Sequence, residues 1–189
     1  MAGNTLTEFS PQQIVSCDSE CYGCGGGWTE KAFDYVISAG GMASESSYPY
    51  TSGVTEVTGT CDSFTVSGGS ITGYSYAINP CTSFRCNNQD EDGLASALSS
   101  VQPMSICVDA SKWSAYTGEG VFPTSACSSS YFSQDHCVQL IGYNGYGTSS
   151  GYWIVRNSWA SDWGVDGMIY LEMGVNACGM ANDVVEVSV

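Results

Sequence analysis

The sequence predicts an α+β chain, with helices and loops first and an antiparallel β unit second. Three observations predict it. Apolar residues recur at helical spacing in the first hundred residues. Beyond Pro103 the pattern becomes short runs rich in β-branched and aromatic residues, punctuated by glycine. Between Met42 and about Arg85 neither pattern holds, and Pro49, Pro80 and many Ser, Thr and Gly read as loop. The chain therefore divides into a helical, loop-rich lobe over residues 1–85 and an antiparallel β lobe over residues 86–189.

"SPQQIVSC" opens with a helix start. Ser10 can cap, Pro11 suits the first turn, Gln13 sits at the capping-box position, and the helix should end near Cys17. The cysteine- and glycine-rich loop "CDSECYGCGGGW" follows. "TEKAFDYVISAGG" predicts an amphipathic helix with Ala32, Phe33, Val36 and Ile37 on one face, stopped by Gly40 and Gly41. A third helix is expected over Gln89–Ser100 with Leu94, Ala97 and Leu98 as its apolar stripe, and Pro103 prevents its continuation. "MSICVD", "HCVQLIGY", "YWIVRN", "GMIYLE" and "VVEVSV" predict five strands. The chain has no internal repeat.

Composition excludes several classes. Of 189 residues, 43% are hydrophobic, enough to bury a core. Four cations (Lys31, Arg85, Lys112, Arg156) against 19 carboxylates give a formal charge of −15, so no basic patch can form. Nucleic acid and anionic membranes are not expected partners. The acidity reads first as solubility and second as attraction for cationic partners. No apolar run approaches a membrane span.

The chain carries ten cysteines. Cys21–Cys24 is a C-x-x-C pair, but no second pair or histidine stands at zinc spacing, so neither a metal nor any other cofactor is expected. Cysteines scattered through loops fit an oxidising compartment. "MAGNTLTEF" has neither the basic start nor the hydrophobic segment of a signal peptide. That conflict suggests residues missing from the front.

His136 is the sole histidine. At the head of an apolar strand it would more often be structural, but "RNSW" changes the reading. The amide oxygen of Asn157 can accept a hydrogen bond from one ring nitrogen, which fixes the tautomer and turns the other nitrogen to a nucleophile. The indole of Trp159 can cover that bond.

Five segments now stand together in order: "FSPQQIVSC", "YGCGGGW", "SYPY", "DHCVQLIGY" and "RNSWASDWGVDG". Together they resemble the papain-like (cathepsin-type) cysteine peptidases, over essentially the whole chain. The resemblance implies a two-lobe α+β fold, with a helical left lobe, an antiparallel β-barrel-like right lobe and the active-site cleft between. It implies an endopeptidase in which a Cys thiolate paired with a His attacks the peptide carbonyl. His136 becomes the general acid/base, Asn157 its orienting residue and Trp159 their shield. Gly26 and Gly27 are expected to bind the substrate backbone, and Trp28 to line a specificity pocket.

The nucleophile does not appear. Its signature, C-G-[SA]-C-[WY], occurs nowhere in the chain, and counting back from His136 by the family's spacing reaches "MAGNTL" or earlier. The expectation is an N-terminally truncated helical lobe, inactive alone, that exposes the apolar face of "FDYVI". A second chain supplying the absent segment is one partner this allows. The others are a peptide or protein substrate and a protein inhibitor.

The resemblance pairs Cys17 with Cys61 and Cys127 with Cys178. Cys24 is free, pairs with Cys21, or joins an absent chain. Cys81 and Cys86 bracket a five-residue step and should pair locally. Cys107 and Cys137 depart from most of the family. By register they lie on neighbouring strands beside the specificity pocket, as a disulfide or as two buried thiols. Asp183 falls at the base of that pocket, where it attracts Lys or Arg, or else points to solvent. Asp135 stands near the ion pair without orienting it. Arg156 and Asp162 read as surface or lobe-packing groups. The compartment is secreted or lysosomal/vacuolar. A non-catalytic pseudo-peptidase, a binding or structural module, is the competing function.

Overall fold

A computed structural model describes residues 6–100 and 102–189. The chain forms two compact units, one running up to Tyr74 and taking in Val187–Val189, the other Ser75–Glu186. The division falls before the Arg85 expected. The reason is that Ala77 and Cys81 already donate backbone N–H groups to Val184 and Asn182.

In the first unit, helix α1 runs Pro11–Cys17 and Ser10 caps it, its hydroxyl accepting from Gln13 N–H at 3.1 Å. The expected capping box does not close. Gln13 instead turns inward, accepting from Ala43 N–H at 2.6 Å and donating to Gly41 O at 3.1 Å, while Ser10 N–H donates to Ala43 O. Fully buried, this amide joins α1 to the end of the next helix. That helix, α2 (Thr29–Ala39), ends as predicted. Gly40 takes φ +76°, and Gly40 and Gly41 donate to Ile37 O and Val36 O. Val36 is buried on α2, whereas Ile37 is exposed. A one-turn helix, α3 (Ser52–Thr55), lies within the expected loop region. Gln12 organises it, its Oε1 accepting from the N–H groups of Thr51 and Ser52 at 2.8 Å each.

The Cys17–Cys61 disulfide staples this unit. The Cys21–Cys24 bond does not form; both remain thiols. Cys24 lies within a 3₁₀ turn over Gly23–Gly25, its N–H tied to Thr58 Oγ1, while the Cys21 sulfur is turned toward Trp28 O.

The second unit is built on a sheet. The strands are β1 (Gly73–Tyr76), β2 (Met104–Val108), β3 (His136–Asn144), β4 (Tyr152–Arg156), β5 (Met168–Glu172) and β6 (Val184–Ser188), in the order β1-β6-β2-β3-β4-β5, and β2 to β5 lie wholly within this unit. Five strands fall on the predicted runs. β1 comes from a segment expected to be loop: "GYSY" carries Gly and Ser, and becomes a strand because β6 offers it a neighbour. β2, β3, β4 and β5 pair antiparallel, with a register shift between Leu140 and Gly142.

Helix α4 (Glu91–Ser100) starts later than expected, where the Asp90 carboxylate accepts from Gly93 N–H at 2.8 Å. Of its expected stripe, Leu94 and Leu98 are buried in the same core as Ile106, Leu140 and Trp153, whereas Ala97 is only partly buried and Ala95 takes the core position. Glu91 is buried too. It accepts from Trp153 Nε1 (2.7 Å), Gly174 N–H (2.7 Å) and Asn176 N–H (2.6 Å). The disulfides Cys81–Cys86, Cys107–Cys137 and Cys127–Cys178 all close within this unit.

Candidate active site

His136 is the first residue of β3, opposite Val108, the last residue of β2. Asn157 follows Arg156, the last residue of β4, whose partner on β3 is Gln139. The sheet thus delivers both residues to one end of adjacent strands. His136 Nε2 lies 2.8 Å from Asn157 Oδ1. Ser158 N–H, which can only donate, also reaches Asn157 Oδ1 at 2.8 Å. The oxygen is therefore an acceptor, and Nε2 must carry the hydrogen. In the neutral ring this leaves Nδ1 with its lone pair, able to take a proton.

The main chain of Asn157 is held as well. Asn157 N–H donates to Gly167 O at 2.9 Å, and the side chain is buried. Gly167 turns there with φ +82°, which a side chain would resist.

Aromatic rings flank the imidazole. Trp159 stacks on the imidazole with centroids 5.4 Å apart and planes 22° from parallel. Trp113 approaches edge-on at 6.3 Å, and Trp163 packs against both indoles, at 5.2 Å from Trp159 and 6.2 Å from Trp113. Trp113 is fully buried, while Trp159 is 38% exposed. In a low-dielectric environment a hydrogen bond is electrostatically stronger than in water. The sequence reading missed Trp113 and Trp163. The "SWASDWG" spacing signals the second, whereas no local pattern marks Trp113.

On either side of His136, the chain is tied to β2. Asp135 N–H donates to Val108 O at 2.9 Å, and its carboxylate accepts from Ala110 N–H at 2.8 Å. Cys137 is bonded to Cys107. Asp183 is buried rather than solvent-facing, and its carbonyl accepts a long bond (3.4 Å) from Cys107 N–H. Arg156 and Asp162 are exposed.

In the first unit, Gly26, Gly27 and Trp28 line an apolar hollow of about 170 Å³ with Ile14, Val15 and Ala32. A β-carbon on Gly27 would overlap the Cys21 sulfur, so glycine is the residue that fits. Burial pushes the Cys21 thiol up, and a hydrogen bond to Asp18 adds to the shift. Among the described residues no cluster of three or more His, Cys, Asp or Glu could hold a metal ion. No helix is long and apolar enough to cross a membrane, among the described residues.

The family model described as "Papain family cysteine protease" matches residues 1–188. The chain belongs to the papain family. Similar curated relatives include cysteine proteinase 1 of Dictyostelium discoideum, 36% identical over 95% of this chain and 52% of the relative. Human cathepsin O is 37% identical over 96% of this chain and 52% of its own length. Pineapple (Ananas comosus) bromelain, solved in complex with the inhibitor E64, superposes with TM-score 0.79 at 34% identity, over 100% of this chain and 81% of that one. A digestive procathepsin L2 of Tenebrio molitor gives 0.81 at 30% identity, over 98% and 54%. The chain thus spans about half the length of the curated relatives it matches. The papain-like α+β fold expected from the motifs is the fold of these neighbours.

Proposed function

We propose that this chain supplies the acid/base half of a Cys-His-Asn endopeptidase, His136 acting as proton carrier and Asn157 as its positioning residue. The observation that carries the reading is the 2.8 Å His136–Asn157 bond, its polarity set by Ser158 N–H. The thiol partner comes from sequence outside these 189 residues, on the same protein or on a second chain. His136 Nδ1 takes the thiol proton, and the thiolate adds to the peptide carbonyl. The imidazolium then returns the proton to the leaving amine, and water, activated by the same nitrogen, releases the acyl group. Trp159 shields the His–Asn pair throughout.

Substrate binding falls to backbone groups of Gly26 and Gly27, which pair with an extended peptide, and to Trp28 as a pocket wall. Cys107, Cys137, Asp135 and Asp183 belong to the specificity side of the same reading. A buried carboxylate at Asp183 favours a basic side chain in the substrate. Peptides, protein substrates and protein inhibitors are the partners. Four disulfides support a secreted or lysosomal/vacuolar setting.

The competing reading is a module that binds peptides and does not cleave them. None of the ten cysteines sits in C-G-[SA]-C-[WY], which favours it. One experiment separates the two: intact mass of the native protein, unreduced and denatured, before and after incubation with E64. A one-inhibitor adduct, mapped to a cysteine outside the ten and abolished in His136→Ala, is the peptidase outcome. A single unmodified species that still binds peptide is the outcome that overturns it.

A further inference from the structure

β2 and β3 part company at His136. Val108↔His136 is the last pair of their ladder, and beyond it the chain leaves for the loop that carries Trp113. Ends of ladders open first. Register is the second hazard, because sliding β3 by one residue turns every side chain to the opposite face and would set Asp135 or Cys137 where His136 belongs. Backbone hydrogen bonds alone guard weakly against either at a terminal pair.

The penultimate pair, Cys107↔Cys137, is a disulfide. Its Cα atoms are 4.0 Å apart, a narrow pairing in which side chains meet but the facing backbone groups do not bond each other. Cys107 N–H indeed donates to Asp183 O, and its carbonyl accepts from Gln134 Nε2 at 2.6 Å. The covalent link therefore stands where the ladder makes no bond of its own, one residue from His136. Cys107 is almost fully buried and Cys137 is half-buried.

We propose that the Cys107–Cys137 disulfide is a positioning device for His136, locking the register and the end of the β2–β3 ladder so that the imidazole stays on Asn157. The proposal rests on the acid/base role given to His136. Its test reads the ring directly and needs no turnover, so failure of one does not imply failure of the other.

Because His136 is the sole histidine, its ring nitrogens give one set of NMR signals. The folded protein is compared with Cys107→Ala/Cys137→Ala, with Cys107→Val/Cys137→Val, and with Cys81→Ala/Cys86→Ala, which removes a disulfide of the same unit. The Trp153 indole N–H, held by Glu91, reports whether the sheet is intact. Loss of the 107–137 link is expected to speed exchange of the His136 Nε2–H by at least about tenfold and to broaden the ring signals, with the Trp153 signal unmoved. The valine pair restores apolar volume without the bond and is expected to keep the defect. Removal of Cys81–Cys86 should leave the ring unchanged. An unaltered ring in the alanine variant overturns the proposal, as does full recovery with valines. Loss of the Trp153 signal in both variants also overturns it, since the link would then serve the sheet as a whole.

Discussion

Glu91 is the most demanding test of the packing argument. Its carboxylate, at the start of α4, accepts three hydrogen bonds: from the Trp153 indole, from Gly174 N–H and from Asn176 N–H. Trp153 and Asn176 are buried, whereas Gly174 is exposed. In Glu91→Ala, Gly174 can turn its N–H to water, but the other two donors are stranded. Each buried donor left unpaired costs about 1–3 kcal/mol, more when the lost partner was charged, so the variant should lose about 4 kcal/mol. Glu91→Gln keeps one acceptor oxygen and turns an NH₂ toward a donor, for a loss of about 2 kcal/mol. Removing a negative charge from a chain of formal charge −15 acts the other way, by easing repulsion. A measured loss is therefore local in origin. Urea unfolding followed by tryptophan fluorescence gives the numbers. With a slope of about 2 kcal/mol per molar, the alanine midpoint should fall by about 2 M. A loss under about 1 kcal/mol in Glu91→Ala, or equal losses in both variants, would refute the reasoning.

Further outcomes are expected elsewhere. If His136 serves a thiol supplied from outside these 189 residues, then in the protein that carries that thiol Asn157→Ala should cut kcat/KM on a peptide substrate by about 100-fold while leaving the melting temperature within a few degrees, checked by steady-state kinetics and calorimetry. Removing Cys127–Cys178, which spans 51 residues, should cost about 4 kcal/mol, against about 2 kcal/mol for Cys81–Cys86, which spans 5. Equal losses in denaturant melts would argue against loop-closure entropy as the origin. Gly164 has φ +60°, and an added β-carbon would run into the Met168 carbonyl, so Gly164→Ala should lower stability by about 2 kcal/mol or more. The Cys21 thiol, raised first by burial and then by Asp18, holds less reactive thiolate at pH 8 than an ordinary thiol. Its alkylation by iodoacetamide should be slow there and keep rising with pH, and Asp18→Asn should speed it.

What the sequence determined by itself was local in origin. Ser10 and Pro11 start α1, Gly40 stops α2, and the β-branched runs become β2 to β6, because caps, turns and alternation act over a few residues. The His136, Asn157 and Trp159 set was legible too, since "RNSW" writes two of its members side by side and the third is the only histidine. Tertiary structure decided whatever depended on a distant partner. Gln13 left its capping box for Ala43 and Gly41 because burial left its amide no water. "GYSY" became a strand because β6 lay beside it. Trp113, from a loop with no pattern of its own, reached His136 because the ladder brings that loop back over the ring. Cys21 and Cys24 stayed apart although their spacing allowed a bond, since the turn that holds Cys24 ties its N–H to Thr58 while the Cys21 sulfur faces Trp28 O. Spacing sets which groups can meet, but the free energy of burying and pairing them is fixed only when the remote side of each contact is in place.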